Sequence, residues 1–181
     1  MTARTPQIGH AIAQWVAEGE VDLAGDVLDR ARKGVADTIA CIVAGAGDEG
    51  AAAVRQTAVA LGNGPATVIG SSTRLAAPWA ALANGTAAHA LDYDDVFAPG
   101  SNHASAVLIP ALLALAEAQG ATGRQLLDAY VVGLEVQAVL GRGIGRGHYD
   151  VGWHNTSTIG CIGAAAGCAR LLGLATEPAR D

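Results

Sequence analysis

Residues 84–105 read Asn84-Gly-Thr-Ala-Ala-His89-Ala-Leu-Asp92-Tyr-Asp94-Asp95-Val-Phe-Ala-Pro-Gly-Ser-Asn-His103-Ala-Ser105. An alanine-rich run leads into this polar knot, and the most apolar segment of the chain leads out of it. Alanine favours helix and Pro78 suits a first helical turn, whereas aspartate favours turns and caps, so a helix over 78–91 should end in acid. His89 and Asp92 stand three apart and share a helical face, where imidazole and carboxylate can meet. The Phe97 to Ser101 segment then breaks the backbone and delivers His103 just ahead of a new helix.

Outward from there, 105–119 is apolar almost all round, which predicts a helix buried on several sides and bent at Pro110. Thr122 and Gln125 have capping-box spacing ahead of an apolar face of Leu126, Leu127, Tyr130, Val131, Leu134 and Ala138. The glycine series 141–147 should break that helix, and residues 148–154 form a second polar, aromatic loop. A Gly/Ala-rich helix follows over 156–174, and 175–181 reads as a fraying tail. Upstream, Thr5-Pro6 opens a short amphipathic helix through Ile8, Ile12, Trp15 and Val16. Asp22 caps a longer one marked by Val27, Leu28, Ala31, Val35, Ile39 and Ile42, which stops near Gly45 to Gly47. A third helix over 51–61 is closed by Gly62-Asn-Gly64. Residues 67–70 are an isolated extended segment, and no sheet is expected. The sum is one all-α domain over 1–181, with six or seven helices and two loops that each place a histidine before a buried helix.

Composition agrees with a packed helical body. The 181 residues are 51% hydrophobic and only 4% aromatic, so helices should pack through small side chains. A charge of −6 argues against a nucleic-acid surface. Cys41, Cys161 and Cys168 form no CxxC pair and read as reduced core residues, which points to the cytosol. No secretory signal is evident, and the apolar run 106–116 falls far short of the roughly 20 residues a bilayer needs. A soluble, cytoplasmic protein is the expectation.

His103 and His154 share a setting: glycine upstream, a hydroxyl residue two positions on, then an apolar helix. A helix N-terminus disfavours imidazolium and favours an anionic ligand, so such a histidine suits acid or base work on a carboxylate. The plain alternative is a histidine that only fills a loop. Asp92, Asp94 and Asp95 are candidates for general base, histidine orienter or metal ligand. Their spacing lacks the glycine and terminal glutamate of a calcium loop, and a solvated helix end is the simpler account. Arg142 and Arg146 are within reach of a substrate carboxylate, with exposed loop arginines as the bland reading. The glycines themselves follow no strand, which argues against a nucleotide loop. A buried Glu135 would need a partner, with the histidine loops as candidates.

Together, Asn84-Gly85, His89, Asp92-Tyr-Asp94-Asp95, His103, Pro110-Ala111, Ala129-Tyr130, Gly133 and Gly152-Trp-His154-Asn-Thr156, followed by Gly160 and Gly163, resemble the MmgE/PrpD family over roughly residues 22–174. The resemblance implies a large helical domain plus an α/β lid, a cleft between them, and commonly a homodimer. It also implies lyase or epimerase chemistry on small polycarboxylates, by proton transfer beside a carboxylate, with no metal or organic cofactor. Asp92, His103 and His154 match the family's site acid and histidines, and His89, Asp95, Arg142 and Thr156 are candidate substrate contacts. Val96 stands where decarboxylase-like members carry threonine, and the loop to His103 is about one residue longer, both pointing away from cis-aconitate. The chain stops before the lysines and tyrosine that complete the family's site and before the lid. The expectation is therefore part of an enzyme, weakly active alone or needing a complementing chain. A noncatalytic helical interaction module is the alternative, and a metal-dependent hydrolase is disfavoured.

Overall fold

The apolar run after the polar knot becomes the axis of the fold. The computed structural model describes residues 8–180, and in chain order they form α1 (Ile8–Glu18), α2 (Gly25–Gly45), α3 (Glu49–Ala60), β1 (Asn63–Thr67), β2 (Arg74–Leu75), α4 (Ala77–His89), α5 (Ala104–Gln119), α6 (Gly123–Ile144), α7 (Gly147–Asp150), α8 (Asn155–Leu171) and α9 (Thr176–Arg180). α5 is flanked by α4, α6 and α8 and also touches α2 and β1. Its Leu108, Ile109 and Leu112 are fully buried, as a helix apolar on every side requires. Pro110 sits inside it and forgoes one helical hydrogen bond. Truncating such a side chain, Leu112→Ala for example, costs about 2–5 kcal/mol.

Small residues set how closely the layers approach. A Cβ on Gly133 of α6 would run into the Leu108 side chain, and one on Gly163 of α8 into the Gln137 side chain. The capping box holds as expected: Gln125 N–H donates to Thr122 Oγ1 at 3.3 Å, and Thr122 N–H donates to Gln125 Oε1 at 2.8 Å.

Several expectations need correction. A sheet exists: β1 and β2 pair antiparallel with an irregular register. Its strands are short and include Gly64 and Pro65, so they leave no period-two signal. Asn84 braces this hairpin on α4, accepting from Ile69 N–H at 2.9 Å and donating to Thr67 O at 2.9 Å. The glycine series does break α6 as expected: the helix runs to Ile144 and closes at Gly145, whose φ is 58°. At Gly141 a Cβ would strike the backbone of Pro99 and Gly100, so this glycine permits a close approach of helix and loop. The tail at 175–181 is not frayed through Arg180. It forms α9 against α1, with Ala179 packed beside the Val16 cluster and Thr176 Oγ1 donating to Glu18 Oε1 at 3.1 Å. Ala24, not Asp22, stands at the N-cap of α2, without a side-chain bond, while Asp48 caps α3. The Thr5-Pro6 start lies outside the described residues. Among those described, no helix is long and apolar enough to cross a membrane.

Candidate functional site

His103 is the N-cap of α5 and His154 the N-cap of α8, and neither imidazole bonds back to its own helix. The matching sequence contexts thus produce matching positions. The two helix starts are tied together, because His103 N–H donates to Thr156 Oγ1 at 3.1 Å. Thr156 thus accepts from the start of the neighbouring helix and keeps its O–H free to donate.

The acids come next. After α4 the chain turns at Asp92, whose φ of 55° lies in the left-handed region that aspartate tolerates better than most residues. That turn carries Asp94, rather than Asp92, back to His89, with Nδ1 at 2.9 and 3.1 Å from the two carboxylate oxygens. The Asp94 side chain is 0% exposed, and its Oδ2 lies 3.4 Å from His103 Nδ1. Asp92 is the reverse: its side chain is 77% exposed and its Oδ1 is 3.6 Å from His103 Nε2. The two imidazole rings lie 4.7 Å apart, centroid to centroid. His89, Asp92, Asp94 and His103 each offer a ligand atom within 4.8 Å of the others and so could hold a metal ion, although each imidazole already has a carboxylate beside it.

Asp95 is not part of this group and instead caps α5. It accepts from Ser105 N–H at 3.0 Å and from Ser105 Oγ–H at 2.7 Å, while Ser105 Oγ also meets Tyr130 Oη at 2.6 Å. Burial, reinforced by the Asp95 and Asp37 charges and opposed by the Ser105 bond, pushes the Tyr130 hydroxyl up to about 12. Beneath the loops lie carboxamides that sequence reasoning missed. Asn102 Nδ2 donates to Gln137 Oε1, and Asn155 Nδ2 donates to Gly100 O at 3.0 Å. Gln137, a fully buried amide on an apolar helix face, was the signal available for them.

Arg142 stays on the exposed last turn of α6. Arg146 instead lines a cavity of about 560 Å³ with Val96, Asn102, His103, Tyr149 and His154. A second, mostly apolar groove of about 550 Å³ is lined by Leu82, Gly85, Val107, His89, His154 and Thr156. His154 and Thr156 therefore line both. Glu135 is exposed, so it needs no buried partner. All three cysteines are free, but Cys161 is exposed on α8 and is not a core residue. Burial raises the Cys168 thiol above its ordinary range, and burial followed by the charges of Asp37, Asp94 and Asp95 raises Cys41.

Comparison with known proteins gives these positions a context. The chain is 32% identical to the cis-aconitate decarboxylase-like protein oryM of Aspergillus oryzae, over 98% of this chain and 39% of that protein. It is 32% identical to the cis-aconitate decarboxylase of Mus musculus over 88% of this chain and 34% of that protein, and 36% identical to that of Homo sapiens over 60% and 23%. It thus spans well under half the length of these curated relatives. The sequence profile of the MmgE/PrpD N-terminal domain matches residues 10–181, and with it the chain belongs to the MmgE/PrpD family.

Proposed function

We propose that this chain is the acid–base portion of a lyase or isomerase that acts on a small di- or tricarboxylate. The observation that carries this reading is the pair of histidine N-caps, His103 and His154, joined through Thr156, with Asp92 and Asp94 beside His103. Helix N-termini favour anions, and Arg146, exposed and paired with Asp150 at 3.3 Å, lines the same cavity as both histidines, where a substrate carboxylate would compete for it. A proton beside a carboxylate leaves only if the developing enolate-like charge is stabilised and a base is within reach. In this reading His103 and His154 supply acid, base or donor functions. Asp92 orients His103 from the solvent side, and Asp95 and Thr156 hold the helix starts rather than the substrate.

The relatives named for cis-aconitate make a tricarboxylate the leading substrate class. Val96 puts an apolar side chain in the His103 cavity, which favours screening citrate and methyl-branched tricarboxylates beside cis-aconitate. The chain acts in the cytoplasm, alone or as a homodimer or with a complementing chain, and its turnover alone is expected to be weak. Isothermal titration with citrate and cis-aconitate near neutral pH, comparing wild type with His154→Ala, tests the reading. Saturable binding that weakens at least about tenfold in the variant, a loss of roughly 1.4 kcal/mol, is the expected result. Binding unchanged by His154→Ala, or no binding by folded wild type, overturns it.

A further inference from the structure

We propose that Asp94 is the positioning residue of this site and that it makes His89 a second proton acceptor, facing the apolar groove while His103 faces the cavity that Arg146 lines. This deepens the acid–base reading above and rests on it.

The two loop acids near the histidines differ in their relation to water. A carboxylate fully withdrawn from solvent needs protein donors, and Asp94, whose side chain is fully buried, receives His89 Nδ1 on both oxygens. His103 Nδ1 lies nearby but is buried and makes no hydrogen bond. An ionised carboxylate only accepts, so the proton of a neutral His89 ring sits on Nδ1 and the lone pair on Nε2. Among the described residues that Nε2 has no hydrogen-bond partner, and the side chain is 37% exposed where it lines the groove shared with His154 and Thr156. Asp94 therefore does for His89 what an orienting carboxylate does for any catalytic imidazole. It fixes the tautomer and ring plane, and it stabilises the imidazolium once a proton arrives. In the step itself, a substrate C–H proton passes to His89 Nε2. The electron pair of that bond stays on the substrate and spreads into the adjacent carboxylate.

The first test is read without substrate. Imidazole nitrogen–proton correlation spectra of the labelled chain in mildly alkaline buffer, assigned with His89→Gln, report the tautomer of His89. The Nδ1–H form is expected in wild type, the Nε2–H form typical of free imidazole in Asp94→Ala, and a return to Nδ1–H in Asp94→Glu. An Nε2–H form in wild type, or no change in a folded Asp94→Ala, overturns the positioning role. Should Asp94→Ala fail to fold, the wild-type tautomer alone decides. The second test follows deuterium entering the methylene positions of citrate in heavy water. His89→Gln is expected to slow exchange by about a hundredfold, well beyond any change in citrate affinity. Equal exchange in the variant, or none in a wild type that binds citrate, overturns the acceptor role. Failure of the titration with His154→Ala leaves the tautomer result standing, so the two readings fail separately.

Discussion

Between His89 and His103 the chain is anchored by buried side chains; between Gly145 and His154 it is anchored by surface ones. The first loop carries Asp94 against His89, Asp95 against Ser105, Asn102 against Gln137, and a backbone bridge between Phe97 and Asn102. The second holds the four-residue α7, a stack of His148 on Trp153 with ring centroids 5.9 Å apart, and a bond from His148 Nε2 to Thr158 Oγ1 of 2.8 Å. Trp153, Tyr149 and Val151 all face solvent. One side of the site is therefore preorganised by the core, and the other depends on a few contacts at the surface. A substrate-closing motion, where one is needed, belongs to the second loop, because buried hydrogen bonds are costly to break and exposed ones are not.

The comparison breaks most visibly at Asp95. Replacing it with alanine strips two charge-assisted bonds from the first turn of α5, and about 4 kcal/mol of stability should go with them. Chemical denaturation of Asp95→Ala should show a lowered midpoint with an unchanged slope. A loss as small as that of a surface residue would mean that the first loop is no better anchored than the second.

Tyr130, at the far end of the same chain of bonds, gives a pH signature. Its hydroxyl is held at about 12 against an ordinary value of 10.0. Below 10 both folded and unfolded chains keep the proton; between 10 and 12 only the unfolded chain releases it, so stability falls as the pH rises through that window. The limb is worth roughly 2–3 kcal/mol. Tyr130→Phe should remove it while lowering stability near neutral pH by about 1 kcal/mol for the lost hydrogen bond. Denaturant midpoints taken from pH 8 to pH 12 read both effects, and an alkaline limb surviving in Tyr130→Phe would assign it to another group.

How much of this could be read from the chain depended on whether the information was local. The long helices carry their own periodicity and caps, which is why α4, α5, α6 and α8 and the N-cap placement of His103 and His154 were legible. Asp94 was not singled out because its role depends on the left-handed turn at Asp92, and nothing in Asp92-Tyr-Asp94-Asp95 says which acid swings inward. The roles of Asp95 and Thr156 were hidden for the same reason, since their partners lie on other elements: Ser105 in α5 and the backbone of His103. The glycine series marked the end of α6 but not which glycine would form it, because glycine has two uses. It ends helices, and it lets a helix approach another backbone, and only the neighbour, here Pro99 and Gly100, decides between them. The hairpin of β1 and β2 and the docking of α9 on α1 likewise come from contacts beyond local sequence.

The smallest effect expected is the one that sharpens the contrast most. His148→Ala removes a partly buried bond to Thr158 and the stack on Trp153, both at the surface of the second loop. A half-exposed pair of this kind contributes about 0.5–1 kcal/mol, so the denaturation midpoint should barely move. The local effect should be larger than the global one. Amide protons over 150–153, whose backbone hydrogen bonds lie in this exposed loop, should exchange faster in the variant, while those of Asn102 and Ser105 keep wild-type protection, because the buried bonds that hold them are untouched. Hydrogen exchange by NMR separates these outcomes residue by residue. Acceleration spreading to Asn102 and Ser105 would mean that the tie from His103 to Thr156 makes the two loops one cooperative unit, and the division between a fixed and a mobile side of the site would have to be given up.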